Sequence, residues 1–234
     1  MRRFRELEYT GLHAGLGVEL TDEYTSGPAF GPRRVFLDAD DAGTWREVPL
    51  EIQPRTTTAG GVLWFPHLEH VRDARGLPAR RYRVRVAADY YMPTYLYEEK
   101  VEGKVVEVYP YDDATPPAKT PPPVEIKLLP NASYPFAPSV PVLRGKLEDQ
   151  AGASIHNAQI SWLEPLAAPG QSQVVCRVLS DEDGEFSLPI RRTPRNTTIE
   201  IEVRRPPPPN PDRSQKVKVL LPDDLSKLKV MKID

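Results

Sequence analysis

Val142-Leu-Arg-Gly145-Lys-Leu147-Glu-Asp149-Gln-Ala-Gly152-Ala-Ser-Ile-His-Asn157-Ala158-Gln-Ile160-Ser-Trp162 reads as a strand, a tight turn and a second strand. Gly152 suits the turn, because without a Cβ it enters the positive-φ region at no steric cost. Beyond the turn, Ala158, Ile160 and Trp162 alternate with Asn157, Gln159 and Ser161. That period of two marks a half-buried strand. About twenty residues on, Ser180-Asp-Glu-Asp183-Gly184-Glu-Phe186-Ser-Leu188-Pro-Ile190 repeats the theme: a polar turn, then Phe186, Leu188 and Ile190 on one face of a strand.

The same texture extends in both directions. Arg34–Asp38, Val62–Pro66, Val124–Pro130, Gln173–Val178, Thr198–Val203 and Gln215–Leu221 all read as short strands. Trp45 to Ile52 and Tyr95 to Pro110 are expected to be extended, and Pro222-Asp-Asp-Leu225 to form one helical turn. In Arg81–Tyr91, Tyr82, Val84 and Val86 face one side, with Arg81, Arg83 and Arg85 as a solvent-facing stripe on the other. Asp112 to Pro123 holds five prolines in twelve residues, which makes it a stiff, extended linker. The expected organisation is therefore an N-terminal β domain over residues 1–112, a linker at 113–123 and a second β domain over 124–234.

Two stretches carry a family resemblance. Leu143-Arg-Gly145-Lys-Leu147-Glu-Asp149 with Gly152-Ala-Ser154-Ile-His-Asn157-Ala-Gln-Ile160 resembles the opening of a carboxypeptidase regulatory-like domain, also called prealbumin-like or transthyretin-like. Ser180-Asp-Glu-Asp-Gly184-Glu-Phe186 is similar to that family's second signature. Leu147 stands where the family has Val, Ser154 where it has Pro, and Asn157 where it has Gly. The N-terminal half shows the same order more weakly: Thr56 to Phe65, then Tyr82-Arg-Val84-Arg-Val86. The resemblance implies an all-β chain of two tandem prealbumin-like (Ig-like Greek-key) β-sandwiches, non-enzymatic, supporting or connecting other modules. The hydroxyisourate hydrolase branch of this fold ends in a Tyr-Arg-Gly-Ser-like tail, whereas this chain ends Val230-Met-Lys-Ile-Asp234.

Composition narrows the function classes. The chain has 234 residues, 39% hydrophobic and 27% charged, as a globular protein does. A net charge of −2 gives no global drive toward nucleic acid or membrane. The 27 prolines disfavour long helices. Cys176 is the one cysteine, so no intrachain disulfide forms, and its setting between Val175 and Arg177 is that of a buried small hydrophobe. The charged start lacks the apolar run of a signal peptide, and no run is long enough for a membrane span, which leads us to expect a cytoplasmic location.

Chemistry is sparse. Gly11–Leu20 is glycine-rich but lacks the Gly-Lys-Ser/Thr ending of a phosphate loop. His67-Leu-Glu69-His70 has metal-ligand spacing only on a helix, and no third ligand is recognisable. Asp181 to Glu185 and Asp38 to Asp41 lack the remaining oxygens of a calcium loop and read as turns. No catalytic, metal or cofactor residues are therefore assigned. For contact with a protein partner the candidates are Tyr90, Tyr91, Tyr95 and Tyr97, since tyrosine combines buried area with a polar tip, together with Arg83 and Arg85.

The expected role is a structural or adaptor subunit of a larger assembly, its partners being other protein subunits, further copies of itself among them. Leu128 to Phe136 with Val142 to Gly145 resembles stretches in carboxypeptidase-regulatory-like proteins of phage-tail-like contractile injection particles. That resemblance implies a cap, baseplate or sheath-associated part. The alternative class is a carbohydrate- or surface-binding adhesin-type module.

Overall fold

In the computed structural model the described residues are 14–49, 55–56, 61–66, 68–98, 102–114, 122–166, 171–190, 197–205, 214–221, 223–226 and 228–233. The chain is all-β. In order, the strands are β1 (Ala14–Asp22), β2 (Gly27–Pro28), β3 (Arg33–Asp41), β4 (Thr44–Glu47), β5 (Arg55–Thr56), β6 (Val62–Pro66), β7 (Arg80–Ala88), β8 (Tyr91–Pro93) and β9 (Lys104–Val108). They continue as β10 (Val124–Pro130), β11 (Val142–Asp149), β12 (Gln159–Pro165), β13 (Ser172–Leu179), β14 (Glu185–Pro189), β15 (Thr198–Arg204), β16 (Ser214–Leu220) and β17 (Lys229–Ile233). A helical turn occupies Tyr95–Glu98, where extended structure is expected from the sequence, and a 3-10 turn occupies Asp223–Ser226, where a helical turn is expected.

The chain forms two compact units that interleave in sequence. One holds residues 1–20, 35–86 and 103–126, and the other holds 21–34, 87–102 and 127–234. Four of the divisions fall inside strands, in β1, β3, β7 and β10. Of the proline-rich stretch, residues 115–121 lie outside the described residues.

In the first unit, β3 lies between β4 and β7, and β9 pairs antiparallel with the far side of β7. β1 pairs antiparallel with β6, with Gly17 opposite Trp64. The alternating apolar positions are buried: Val35 and Leu37 on β3, Tyr82 and Val84 on β7, Leu16, Val18 and Leu20 on β1. The β3–β4 hairpin turns through Ala42-Gly43, with Ala42 at φ 51°. An alanine there carries left-handed strain that Asn or Gly tolerates. Ala42→Asn is expected to raise unfolding free energy by about 0.5–1 kcal/mol, read by urea denaturation.

The second unit contains a seven-stranded sandwich. One sheet runs β14-β11-β17 and the other β13-β12-β15-β16. β17 lies parallel to β11, and the remaining pairs are antiparallel. Leu143, Leu147, Phe186, Leu188, Met231 and Ile233 from the first sheet bury against Ile160, Trp162, Val178, Ile201, Val203 and Val219 from the second. Burial of these alternating apolar faces is what holds two such sheets together.

The turn and glycine residues at 145–184 do structural work in this sandwich. Gly145 pairs with Phe186 across β11 and β14, and the phenyl ring lies over the glycine. Gly184 sits at φ 77° under the Leu147 carbonyl, where a Cβ would approach within 2.6 Å. Asp149 Oδ1 accepts the Ala153 amide at 2.8 Å and Asp181 Oδ1 accepts those of Asp183 and Glu185, closing both turns. Asn157 adopts φ 55°. Besides glycine, Asn is among the few residues that adopt this backbone readily.

Candidate functional site: an aromatic cluster on a buried carboxylate

The second unit gathers aromatic rings from three separate segments around Asp22. This residue ends β1 and is fully buried. Its Oδ1 accepts the backbone amides of Tyr24 and Thr25 at 2.8 and 3.4 Å. Its Oδ2 accepts the hydroxyls of Tyr134, Thr25 and Tyr91 at 2.7, 2.9 and 3.3 Å. The Tyr91 oxygen in turn accepts the Phe30 amide at 3.4 Å. Every lone-pair direction of the carboxylate is used, as burial demands.

The rings pack edge to face, except for the tilted pairs Tyr134–Phe136 and Phe30–Tyr90. Tyr134 lies 5.4 Å from Tyr91, 5.4 Å from Phe30 and 4.5 Å from Phe136, and Tyr24 lies 5.2 Å from Phe136. Phe30 also meets Tyr90 at 5.9 Å. Two layers result. Tyr91 and Tyr134 are buried, while Tyr24, Tyr90 and Phe136 are partly exposed and Phe30 is 41% exposed. The inner rings are pinned by hydroxyl hydrogen bonds, so the outer ones stand on a rigid base. Beside them Tyr24, Thr25, Ser139, Val140, Pro141 and Ile190 line a shallow pocket of about 480 Å³.

Burial, and then the Asp22 carboxylate, push the Tyr91 hydroxyl up to about 12. The Tyr134 hydroxyl is pushed up for the same two reasons, and Tyr82 in the first unit by burial and its bond to Glu69. A phenol whose folded value is raised contributes stability that is full below about pH 10 and is lost as pH rises through the folded value. Alkaline titration followed by tyrosinate absorbance is therefore expected to leave Tyr82, Tyr91 and Tyr134 un-ionised until the β circular dichroism signal is lost. Ionisation of these three at the ordinary phenol value of about pH 10 with the fold intact would contradict this.

Tyr91 and Tyr95, two of the four tyrosines singled out in the sequence, are 2% and 3% exposed, and Tyr90 is partly exposed. Tyr97 lies in the helical turn, its side chain outside the described residues. The sequence pattern did not point to Asp22, Phe30, Tyr134 and Phe136. Only Asp22 carries a local signal, the Asp-x-x-Thr turn in which Thr25 bonds back to it.

Arg83 and Arg85 belong to the first unit and do not form an open stripe. Both reach Asp38 on β3, Arg83 at 2.7 Å and Arg85 at 2.7 and 2.8 Å. Their side chains are 15% and 32% exposed. Arg83 lies over the Trp45 ring and Arg85 over Phe36, each at 5.2 Å. An aspartate on the neighbouring strand is what turns this face from a solvated stripe into an ion-paired layer. For Asp38, burial favours the neutral acid, but the hydrogen bonds from Arg85 and Arg83 outweigh it and hold the carboxyl below its ordinary range.

The other candidate chemistries resolve into structural contacts. Glu69 is buried, at φ 61°, and accepts the Tyr82 hydroxyl and Arg80 Nη1. His70 Nε2 meets Asp113 at 3.0 Å, and His67 lies outside the described residues. Among the described residues no three His, Cys, Asp or Glu side chains gather as a metal site. Cys176 is buried, as its strand position suggests. Among the described residues no helix is long and apolar enough to cross a membrane.

No known protein family matches the chain, and no curated protein matches it. Among solved structures it is similar to a streptococcal ancillary pilin, at 14% identity and a TM-score of 0.29, over 93% of this chain and 61% of that one. A likeness to the Bacillus anthracis TIE protein, also at 14% identity, has a TM-score of 0.25 and covers 93% of this chain and 32% of that one. The chain thus spans less than two thirds of the length of either.

Proposed function

We propose that the chain is a non-enzymatic structural or adaptor module that joins other protein subunits in a larger assembly, its outer aromatic layer being one contact surface. The observation that carries this reading is the arrangement around Asp22: partly exposed Phe30, Tyr90, Tyr24 and Phe136 standing on inner rings held by a buried carboxylate. Aromatic anchors on a rigid base suit binding because little side-chain entropy remains to be lost. The buried carboxylates Asp22, Asp38 and Glu69 are each occupied by the chain's own donors, a pattern that suits scaffolding.

Within that reading, the resemblance at Leu143–Ile160 and Ser180–Phe186 supports a carboxypeptidase regulatory-like module, with a diverged copy in the N-terminal half. The fainter resemblance at Leu128–Phe136 supports a cap, baseplate or sheath-associated part of a contractile injection particle assembled in the cytoplasm. The same exposed rings favour one second reading, in which they stack on sugar rings as an adhesin-type surface.

The test is affinity purification of the tagged chain from its host, with mass spectrometry and negative-stain imaging, alongside the double variant Phe30→Ala/Tyr90→Ala. Sheath, tube or baseplate proteins retained by the wild type and lost by the variant are the expected result. A monomer that retains nothing, yet binds a glycan array through the same two rings, would replace this reading with the second.

A further inference from the structure

Among the described strands the sandwich has four edges, and they are not equivalent. β14 is five residues long and ends in Pro189. β13 carries an irregularity opposite Trp162/Leu163, where Val175 is left without a register partner. On β16, Lys216 is neutralised by Glu200 at 2.7 Å. A proline and a bulge are each devices that discourage further pairing, and the Lys216–Glu200 pair leaves that β16 lysine already neutralised. β17 combines different features. It pairs only with β11 among the described strands. Val230 and Lys232 share its outward face, and Leu228 stands just before it in the same alternation. Leu228 and Val230 are 58% and 52% exposed, two of the most exposed large hydrophobic residues described.

Charge decides what fits there. Lys229 is satisfied by Asp224 at 2.7 Å, and Lys146, opposite Val230, by Glu148 at 3.4 Å. Lys232 and Arg144, both exposed, make no ion pair among the described residues, Lys232 standing opposite Glu148, which Lys146 already holds. A second β17 brought against this edge supplies more lysines and no acid, so the strand disfavours its own copy. A strand that alternates carboxylates with aliphatic residues covers Leu228 and Val230 and neutralises Lys232 and Arg144.

We propose that β17 is a strand-addition site whose occupant is an extended, acidic-aliphatic segment of a different protein, held by main-chain hydrogen bonds and selected by charge. The inference rests on the assembly reading above but uses a surface separate from the aromatic cluster, so each can fail alone.

The probe is a fluorescein-labelled peptide alternating Glu and Val over eight residues, titrated by anisotropy against the full-length chain. A Lys/Val peptide and a Glu/Val peptide interrupted by two prolines serve as comparisons. Saturable binding of the first is expected, at least about tenfold weaker for Lys232→Glu and for Val230→Glu, weaker at higher salt, and absent for the interrupted peptide. Both variants change exposed side chains, and circular dichroism checks that the fold is kept. Equal binding of acidic and basic peptides overturns the proposal, as does binding that survives the prolines, which reports charge attraction without strand pairing. No binding up to millimolar peptide, or binding only to anionic phosphatidylglycerol vesicles, also overturns it. If Val230→Glu retains every partner of the wild type in affinity purification, the strand-addition site falls while the assembly reading stands.

Discussion

Replacing Asp22 with alanine is expected to lower the stability of the second unit by roughly 4 kcal/mol, because each buried donor left without a partner costs about 1–3 kcal/mol. The substitution strands the buried hydroxyls of Tyr134 and Tyr91 and takes the acceptor from the partly buried amide of Tyr24. The rings lose their common anchor, so tyrosine fluorescence and near-ultraviolet circular dichroism change with the thermal midpoint. For a chain of this size the midpoint falls by about 10 °C. Two further variants separate the cause from simple loss of volume. Tyr134→Phe keeps the ring and removes one donor, and is expected to cost about 1 kcal/mol. Asp22→Asn keeps an acceptor for the two amides and lies between the two. A cost below about 1 kcal/mol for Asp22→Ala would show that the hydroxyls find other partners and that the network does not hold the rings.

The second large effect lies in the sandwich core. Phe186 is 1% exposed and packs over Gly145, where an added Cβ would meet the phenyl ring and come within 2.8 Å of the Lys229 carbonyl. Gly145→Ala is expected to cost about 3 kcal/mol through overpacking, and Phe186→Ala about 3–5 kcal/mol through the cavity it leaves. The two changes are complementary in shape. The double variant removes the clash with the ring, so it is expected to be at least about 1 kcal/mol more stable than the sum of the single costs. Urea denaturation of the four proteins measures the coupling. Strict additivity would mean that the ring is not what limits residue 145, and that the clash is with the β17 backbone alone.

How legible each part was depends on how local its physics is. Sandwich strands such as β12 and β14 follow from period-two alternation, since neighbouring side chains on a strand face opposite sides whatever the rest of the chain does. The turns at Asp149–Gly152 and Asp181–Gly184 follow from backbone angles and side-chain bonds within five residues. The Tyr95–Glu98 helical turn does not follow, because its apolar residues satisfy either period over so short a run.

By itself, then, the sequence determined that this chain is all-β, where its C-terminal strands lie, and which glycines and aspartates shape their turns. Only the tertiary structure decided that residues 21–34 and 87–102 join the second compact unit, that Tyr91 and Tyr95 are core residues, and that Arg83 and Arg85 serve Asp38. Those outcomes rest on partners far apart in the chain: Asp22 and Tyr134 are separated by 112 residues, Asp38 and Arg85 by 47. An alternating pattern states that a side chain has a face. Which group waits on that face, an aspartate or water, is set by strand order, and strand order is a long-range property.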